Sequence, residues 1–301
     1  MSNNSNARIK WLAAGIIFAA LWASAATATK MGLTSAQPLV IAVVRFGMAA
    51  AIMLFFAHVV KRYRLPHQQE WKQIALYGLL NITIYLGLYV IAMQTVSAGI
   101  GALAIATNPV YISFLSVFFL KKKLTGPVLL SIVICMAGVV CAAWPLFANA
   151  SVTTSGLLLL LLCMLSYSAA AIYFSARNWN DLQLLTINGW QTLLGGLFLL
   201  PFTLFLYKGE ANHFDQTFWW SVAWLAIPVS IAAVQLWLWL LQTNPVRAGL
   251  WLFLCPLFGF VFAALWMHEP ISSYTVAGVV LVNIGLFLSK INTKKSAVVF
   301  D

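Results

Sequence analysis

The chain has 301 residues, 62% hydrophobic and 8% charged, with a formal net charge of +11. Soluble chains carry about 25% charged residues, so a water-soluble globular protein is excluded. In a soluble chain the basic excess would suggest nucleic acid, but here it sits in loops between apolar runs of about 20 residues, long enough to cross a bilayer. Nucleic acid is therefore excluded as a partner, and the lipid bilayer takes its place.

The opening MSNNSNARIK runs directly into Trp11 and a long apolar segment, which reads as a first span and not as a cleaved signal. Ten spans fit, at 11–30, 38–60, 72–93, 99–120, 125–147, 155–176, 182–206, 218–241, 248–267 and 271–290. The short connections predict a compact, all-α integral membrane protein with no soluble domain, since helices satisfy their own backbone polar groups in lipid.

Polar groups inside spans are costly, and by default they suggest function. Span one offers Trp22 and ends at Lys30. Span two carries Arg45, about 10 Å from its outer end by helical rise. That cation either snorkels outward or faces a cavity and contacts a carboxylate or other anion. His58, near the other end, reads as interfacial. In span three, Asn81, Tyr85 and Tyr89 recur every four residues on one face. They either line a cavity for a polar or aromatic ligand or fill the core. Span four brings Asn108 and Tyr111 around Pro109, which frees a backbone carbonyl and kinks the helix, as a structural bend or a gating hinge. Span six offers Ser166, Tyr167 and Tyr173. In span seven Asn188, Gln191 and Thr192 read as interhelical hydrogen bonds. Span eight pairs Gln235 with Trp239 as a second cavity stripe, leaving Trp237 to lipid or packing. Span nine places Trp251, Cys255 and Phe258 around Pro256, again as kink or hinge. The cysteines lie inside spans without metal spacing, so no disulfide and no metal are expected.

Ser97–Gly138 recurs 147 residues later as Asn244–Gly285. Pro109 falls on Pro256, Thr125 on Ser272, Val133 on Val280 and Gly138 on Gly285. A proline, a polar break and a glycine holding one register without a gap indicate a tandem duplication, with units 1–150 and 151–301. With the N-terminus in the cytoplasm, fourteen of seventeen Lys and Arg lie inside, only Lys30 and Lys208 outside, and Arg45 within a span. By the positive-inside rule both termini are cytoplasmic. Five spans per unit then make the second unit an inverted copy, as in secondary transporters with a substrate site between their repeats.

These residues resemble the EamA-type, ten-helix branch of the drug/metabolite transporter superfamily. The resemblance rests on Leu21–Ser24 (LWAS) followed by Lys30, on Arg45-Phe46, on Pro109 and Pro256, and on Met267–Ser272 (MHEPIS). It covers nearly the whole chain. One departure is Lys122, where the family has a glutamate that the second copy retains as Glu269. The resemblance implies a bacterial inner-membrane permease, most often an exporter of amino acids or related metabolites.

The site predicted from the residues comprises Trp22, Asn81, Tyr85, Tyr89, Asn108, Tyr111, Tyr173, Gln235, Trp239 and Trp251, with Pro109 and Pro256 as kinks or gates and Arg45 as anion contact. No carboxylate lies at midspan, so substrate is expected to be held by neutral and aromatic groups, with weak or no ion coupling, as in a facilitator or exchanger. No cofactor is expected. An enzyme would need a catalytic cluster, and no HExxH, GxSxG or Gly-rich phosphate loop occurs. Import, multidrug export or a structural membrane subunit remain as alternatives. Substrate, direction and oligomeric state stay open.

Overall fold

The computed structural model describes residues 2–96, 101, 104–121, 125–149, 153–267 and 272–291. Among these the regular structure is all helical, with no strand. The helices are α1 (Ser2–Gly32), α2 (Pro38–Val60), α3 (Gln68–Ala92), α4 (Asn108–Phe119), α5 (Gly126–Asn149), α6 (Thr154–Ala176), α7 (Leu184–Phe205), α8 (Gln216–Thr243), α9 (Pro245–Trp266) and α10 (Ser273–Ile291). Seven of them, α1 from Ile9, α2, α3, α6, α7, α8 and α9, are long and apolar enough to cross a membrane. This is a multi-pass membrane protein. The turns carrying Lys122, Lys123 and His268–Ile271 lie outside the described residues.

The helix ends follow from local chemistry. Pro38 starts α2 after an extended Gln37, where a missing N–H costs nothing. Thr153, Asp215 and Asn244 accept the backbone N–H of Gly156, Phe218 and Arg247, capping α6, α8 and α9.

The two repeated prolines correct an expectation. Neither kinks a continuous α-helix. Pro109 is the second residue of α4, after a turn at 106–107. Pro256 is the second residue of the stretch Cys255–Met267, after a tighter 3-10 segment at Leu250–Leu254. Lacking an N–H, each proline fits the first turn of a restarted helix. The predicted fourth span is for this reason a helix of 12 residues.

The packing repeats itself when the first five helices are exchanged with the last five. Helix α1 packs on α8 and α9, and α6 packs on α3 and α4. Helix α2 lies along α7, and α5 along α10. The α5–α10 seam explains the duplicated glycine. A Cβ on Gly138 would lie 2.8 Å from the Gly278 carbonyl oxygen, and one on Gly285 would lie 2.5 Å from Cys135 Sγ. Small residues let the two backbones approach closely in lipid, and Ser131 Oγ donates to the Gly285 carbonyl at 2.6 Å across the seam.

Candidate functional site

Helices α3 and α8 each contain a widened π-type stretch, Leu79–Ile84 and Leu225–Ala233. An ordinary helix turns every 3.6 residues, so a ridge stepping by four drifts around it. The wider turns offset that drift, and such turns are frequent at functional sites. Tyr77, Asn81, Tyr85, Tyr89 and Met93 accordingly stay buried in steps of four. The same holds on α8 for Leu225, Val229, Ala233, Trp237 and Leu241.

Between these ridges, α1 and α2 lies a cavity of about 10 Å³, lined by Trp22, Ala25, Arg45, Tyr85, Leu86, Tyr89, Ile105 and Val229. That is about the space of one water, too small for an organic molecule. Arg45 reaches it from α2 and is only 3% exposed. Its Nε donates to Ser230 Oγ at 2.8 Å, which settles the choice left open by the sequence: the side chain does not snorkel. The Tyr89 hydroxyl, also buried, has no hydrogen-bond partner among the described residues.

Behind Arg45 a polar chain runs through the bundle. The Ser230 carbonyl accepts from Asn188 Nδ2 at 3.0 Å. Asn188 Oδ1 accepts from Gln191 Nε2 at 3.0 Å, and Gln191 Oε1 accepts from Asn81 Nδ2 at 3.1 Å. The chain joins α2, α8, α7 and α3 and fixes the seat of the guanidinium. In front of it an aromatic group closes the space. Tyr85 packs on Tyr167 at 4.7 Å between ring centroids, Tyr167 on Trp237 at 5.5 Å and Phe18 on Trp237 at 5.0 Å, with Trp22 beside Tyr167 at 5.8 Å.

Each end of α2 is tied to the second half of the chain. At the Pro38 end, Gln37 Nε2 donates to the Leu206 carbonyl at 3.0 Å, and Gln37 Oε1 accepts from Lys208 N at 2.7 Å and Asn212 Nδ2 at 2.9 Å. Ser35 Oγ donates to Asp215 Oδ2 at 3.1 Å, and His213 N donates to the Ser35 carbonyl at 2.7 Å. The Phe218 backbone N–H, followed by this Ser35 hydroxyl, holds the Asp215 carboxyl below its ordinary value. At the other end Arg64 makes a bidentate pair with Glu70, at 2.7 and 2.8 Å, and also donates to the Asn180 carbonyl. The hydrogen bonds to Glu70 raise the Arg64 pKa, so it is always charged. Beyond both ends of α2, loops from the two halves are thus bonded to each other.

The sequence matches the EamA-like transporter family twice, over residues 9–144 and 154–291. The chain belongs to the EamA-like transporter family. Similar proteins include an uncharacterized transporter of Synechocystis, 25% identical over 89% of this chain and 86% of its own. The uncharacterized transporter YoaV of Bacillus subtilis is 24% identical over 91% of this chain and 95% of its own. Protein PecM of Dickeya dadantii is 25% identical over 87% and 86%. One crystal structure shares the fold, with a TM-score of 0.78 at 15% identity, over 95% of this chain and 98% of that one.

In this EamA-like chain, the fold brings together four of the sequence-nominated residues: Trp22, Arg45, Tyr85 and Tyr89. Asn81 is one turn away and bonded to Gln191. Asn108 ties α4 to α6, its Oδ1 accepting from Ser168 Oγ at 3.0 Å. Tyr111 is half-buried against the core. Tyr173 lies under the Arg177 guanidinium at 4.9 Å, at the end of α6. Trp251 is buried against Trp11 and fills the space above Gly15. Gln235 and Trp239 do not line this cavity. Trp239 is 37% exposed, whereas Trp237, assigned to the outside, is 1% exposed. The buried face of α8 runs through Val234, Trp237, Leu238 and Leu241, with half-buried Gln235 on its flank. Sequence reasoning missed Ser230 and Phe18 and left Tyr167 aside. The steps of four from Val229 through Trp237 were the available signal for the true inner face.

Proposed function

We propose that this EamA-like chain is a permease that moves small organic metabolites by alternating access. The best single choice is efflux of amino acids or related compounds across a bacterial inner membrane. Ten membrane helices form two units, 1–150 and 151–301, with the second inverted and both termini in the cytoplasm. The Gln37 end of the bundle faces out and the Arg64 end faces in.

One observation carries the reading: a polar and aromatic cavity, reached by both halves, lies between two ends at which separate sets of bonds tie the halves together. The ends are equivalent under the exchange of helices that the packing obeys. Opening the Gln37–Asn212 contacts while Arg64–Asn180 holds would expose the cavity outward, and the converse exposes it inward. Trp22, Arg45, Tyr85 and Tyr89 hold the substrate. The restarts at Pro109 and Pro256 provide hinges, because the first turn after a break has fewer backbone bonds to lose.

Described acidic residues lie at helix ends and in loops, none beside the cavity. A proton or sodium carrier uses such a group, so transport is expected to run as facilitation or exchange. Counterflow of radiolabelled amino acids and their deaminated relatives in proteoliposomes, with and without a pH gradient, tests this. Flux that is independent of the gradient is expected. Strictly gradient-dependent uphill transport would refute the coupling assignment, and no flux of any compound would refute the permease.

A further inference from the structure

We infer that the cavity is an organic-anion site: Arg45 anchors the carboxylate of a substrate that has an apolar body and no ammonium group. This rests on the permease reading and, within amino acids and related compounds, assigns the site to the related acids that lack an ammonium group and not to the amino acids themselves.

Arg45 is a cation in the apolar interior, 3% exposed. Among the described residues the ion pair is Arg64–Glu70, far along the other end of α2, and no carboxylate lies within ion-pair distance of Arg45. Its Nε is taken by Ser230, which aligns the planar guanidinium and leaves the two Nη groups for a ligand. A buried charge without a counterion is strongly disfavoured, and a fork of two N–H groups matches a carboxylate in a way that a lysine would not.

A second, independent observation points to the same place. The Tyr89 hydroxyl is buried in the cavity wall without a partner among the described residues, a donor for a carboxylate oxygen. The polar chain through Asn188, Gln191 and Asn81 consumes its own groups internally. It positions Ser230 and offers the ligand nothing acidic.

The remaining walls, Trp22, Tyr85, Leu86, Ile105 and Val229, suit an apolar or aromatic body. Among the described residues no acidic group faces them, so the ammonium of a zwitterionic amino acid would lose its hydration without gaining a partner. The site therefore selects the deaminated acid over the amino acid. Entry requires one end to open, since the closed cavity has room for about one water.

Binding to the full chain in nanodiscs tests the inference, with phenylacetate, phenylacetamide, phenylalanine and acetate as ligands and chloride as competitor, by calorimetry or thermal shift. Phenylacetate is expected to bind at least tenfold tighter than phenylacetamide or phenylalanine. Arg45→Gln should remove that preference, Arg45→Lys should keep part of it, and Tyr89→Phe should weaken phenylacetate about threefold. Arg45→Lys keeps the charge and serves if the Gln variant fails to fold. Equal binding of acid and amide, phenylalanine binding as tightly as phenylacetate, displacement by chloride at equal concentration, or an unaltered preference in the Arg45 variants would overturn the anion site. Proteoliposome flux is scored separately: flux without the acid preference refutes the anion site and leaves the permease standing.

Discussion

Gln37→Ala removes the side chain that bonds Leu206, Lys208 and Asn212 across the Pro38 end of the bundle. Three hydrogen bonds are lost, at 3.0, 2.7 and 2.9 Å. Each contributes about 0.5–1.5 kcal/mol net, and at this partly exposed position the low end applies. The closed end is then weakened by about 1.5–2 kcal/mol, a rise of roughly 10–30-fold in the population open there. A cysteine at Ala25, which lines the cavity, reports this when the four native cysteines are replaced by alanine. An impermeant maleimide added on the Gln37 face should label Ala25→Cys roughly 10–30-fold faster in the Gln37→Ala background. Arg64→Ala loosens the other end and should slow labelling from this face. An unchanged rate in Gln37→Ala, or an equal rise in both variants, would refute the paired closures.

The other predictions concern packing and acid. Gly285→Ala puts a methyl 2.5 Å from Cys135 Sγ and 3.0 Å from the Ser131 carbonyl, and overpacking of this kind costs about 1–3 kcal/mol; thermal unfolding in detergent should show a clear loss. Gly47→Ala, with nothing within 4 Å of its Cβ, should be neutral or slightly stabilising in the same assay. Trp237→Ala should cost about 3–5 kcal/mol, while Trp239→Ala, on the outer face, should leave both stability and transport nearly intact. The Asp215 carboxyl is held below its ordinary 3.8, so its contribution is complete above that value and lost as the pH falls through the lowered folded value. Labelling from the Gln37 face should therefore stay flat from roughly pH 5 to 8 and rise only in more acid solution.

Much of the architecture was legible because lipid leaves few options. Apolar run length marked helices, and the shared register of Gly138 and Gly285 marked a seam where backbones touch. The stripe Asn81, Tyr85, Tyr89 was found because the wide turn at Leu79–Ile84 keeps steps of four on one face. On α8 the same device is present, but a polar residue such as Gln235 does not mark the inner face. Gln235 is half-buried on the flank of that ridge and Trp239, one turn on, is exposed, whereas Trp237 lies on the ridge itself. Ser230 was invisible for another reason: a lone serine in an apolar run gains meaning only when Arg45, distant in sequence, is folded against it. The chain of amides from Asn188 to Asn81 was legible only as separate polar residues, since helix pairing decides which of them meet. The prolines start helical stretches and do not bend them from within, a difference hidden in the sequence because proline at the start of a helix and proline within one look alike there.

The most direct test of alternating access is a reversible lock on one end. With cysteines at Gln37 and Asn212, whose main-chain N–H and side-chain oxygen lie 2.9 Å apart, an oxidised cross-link should abolish counterflow in proteoliposomes, and reduction should restore it. Flux that persists through the intact cross-link would contradict the account.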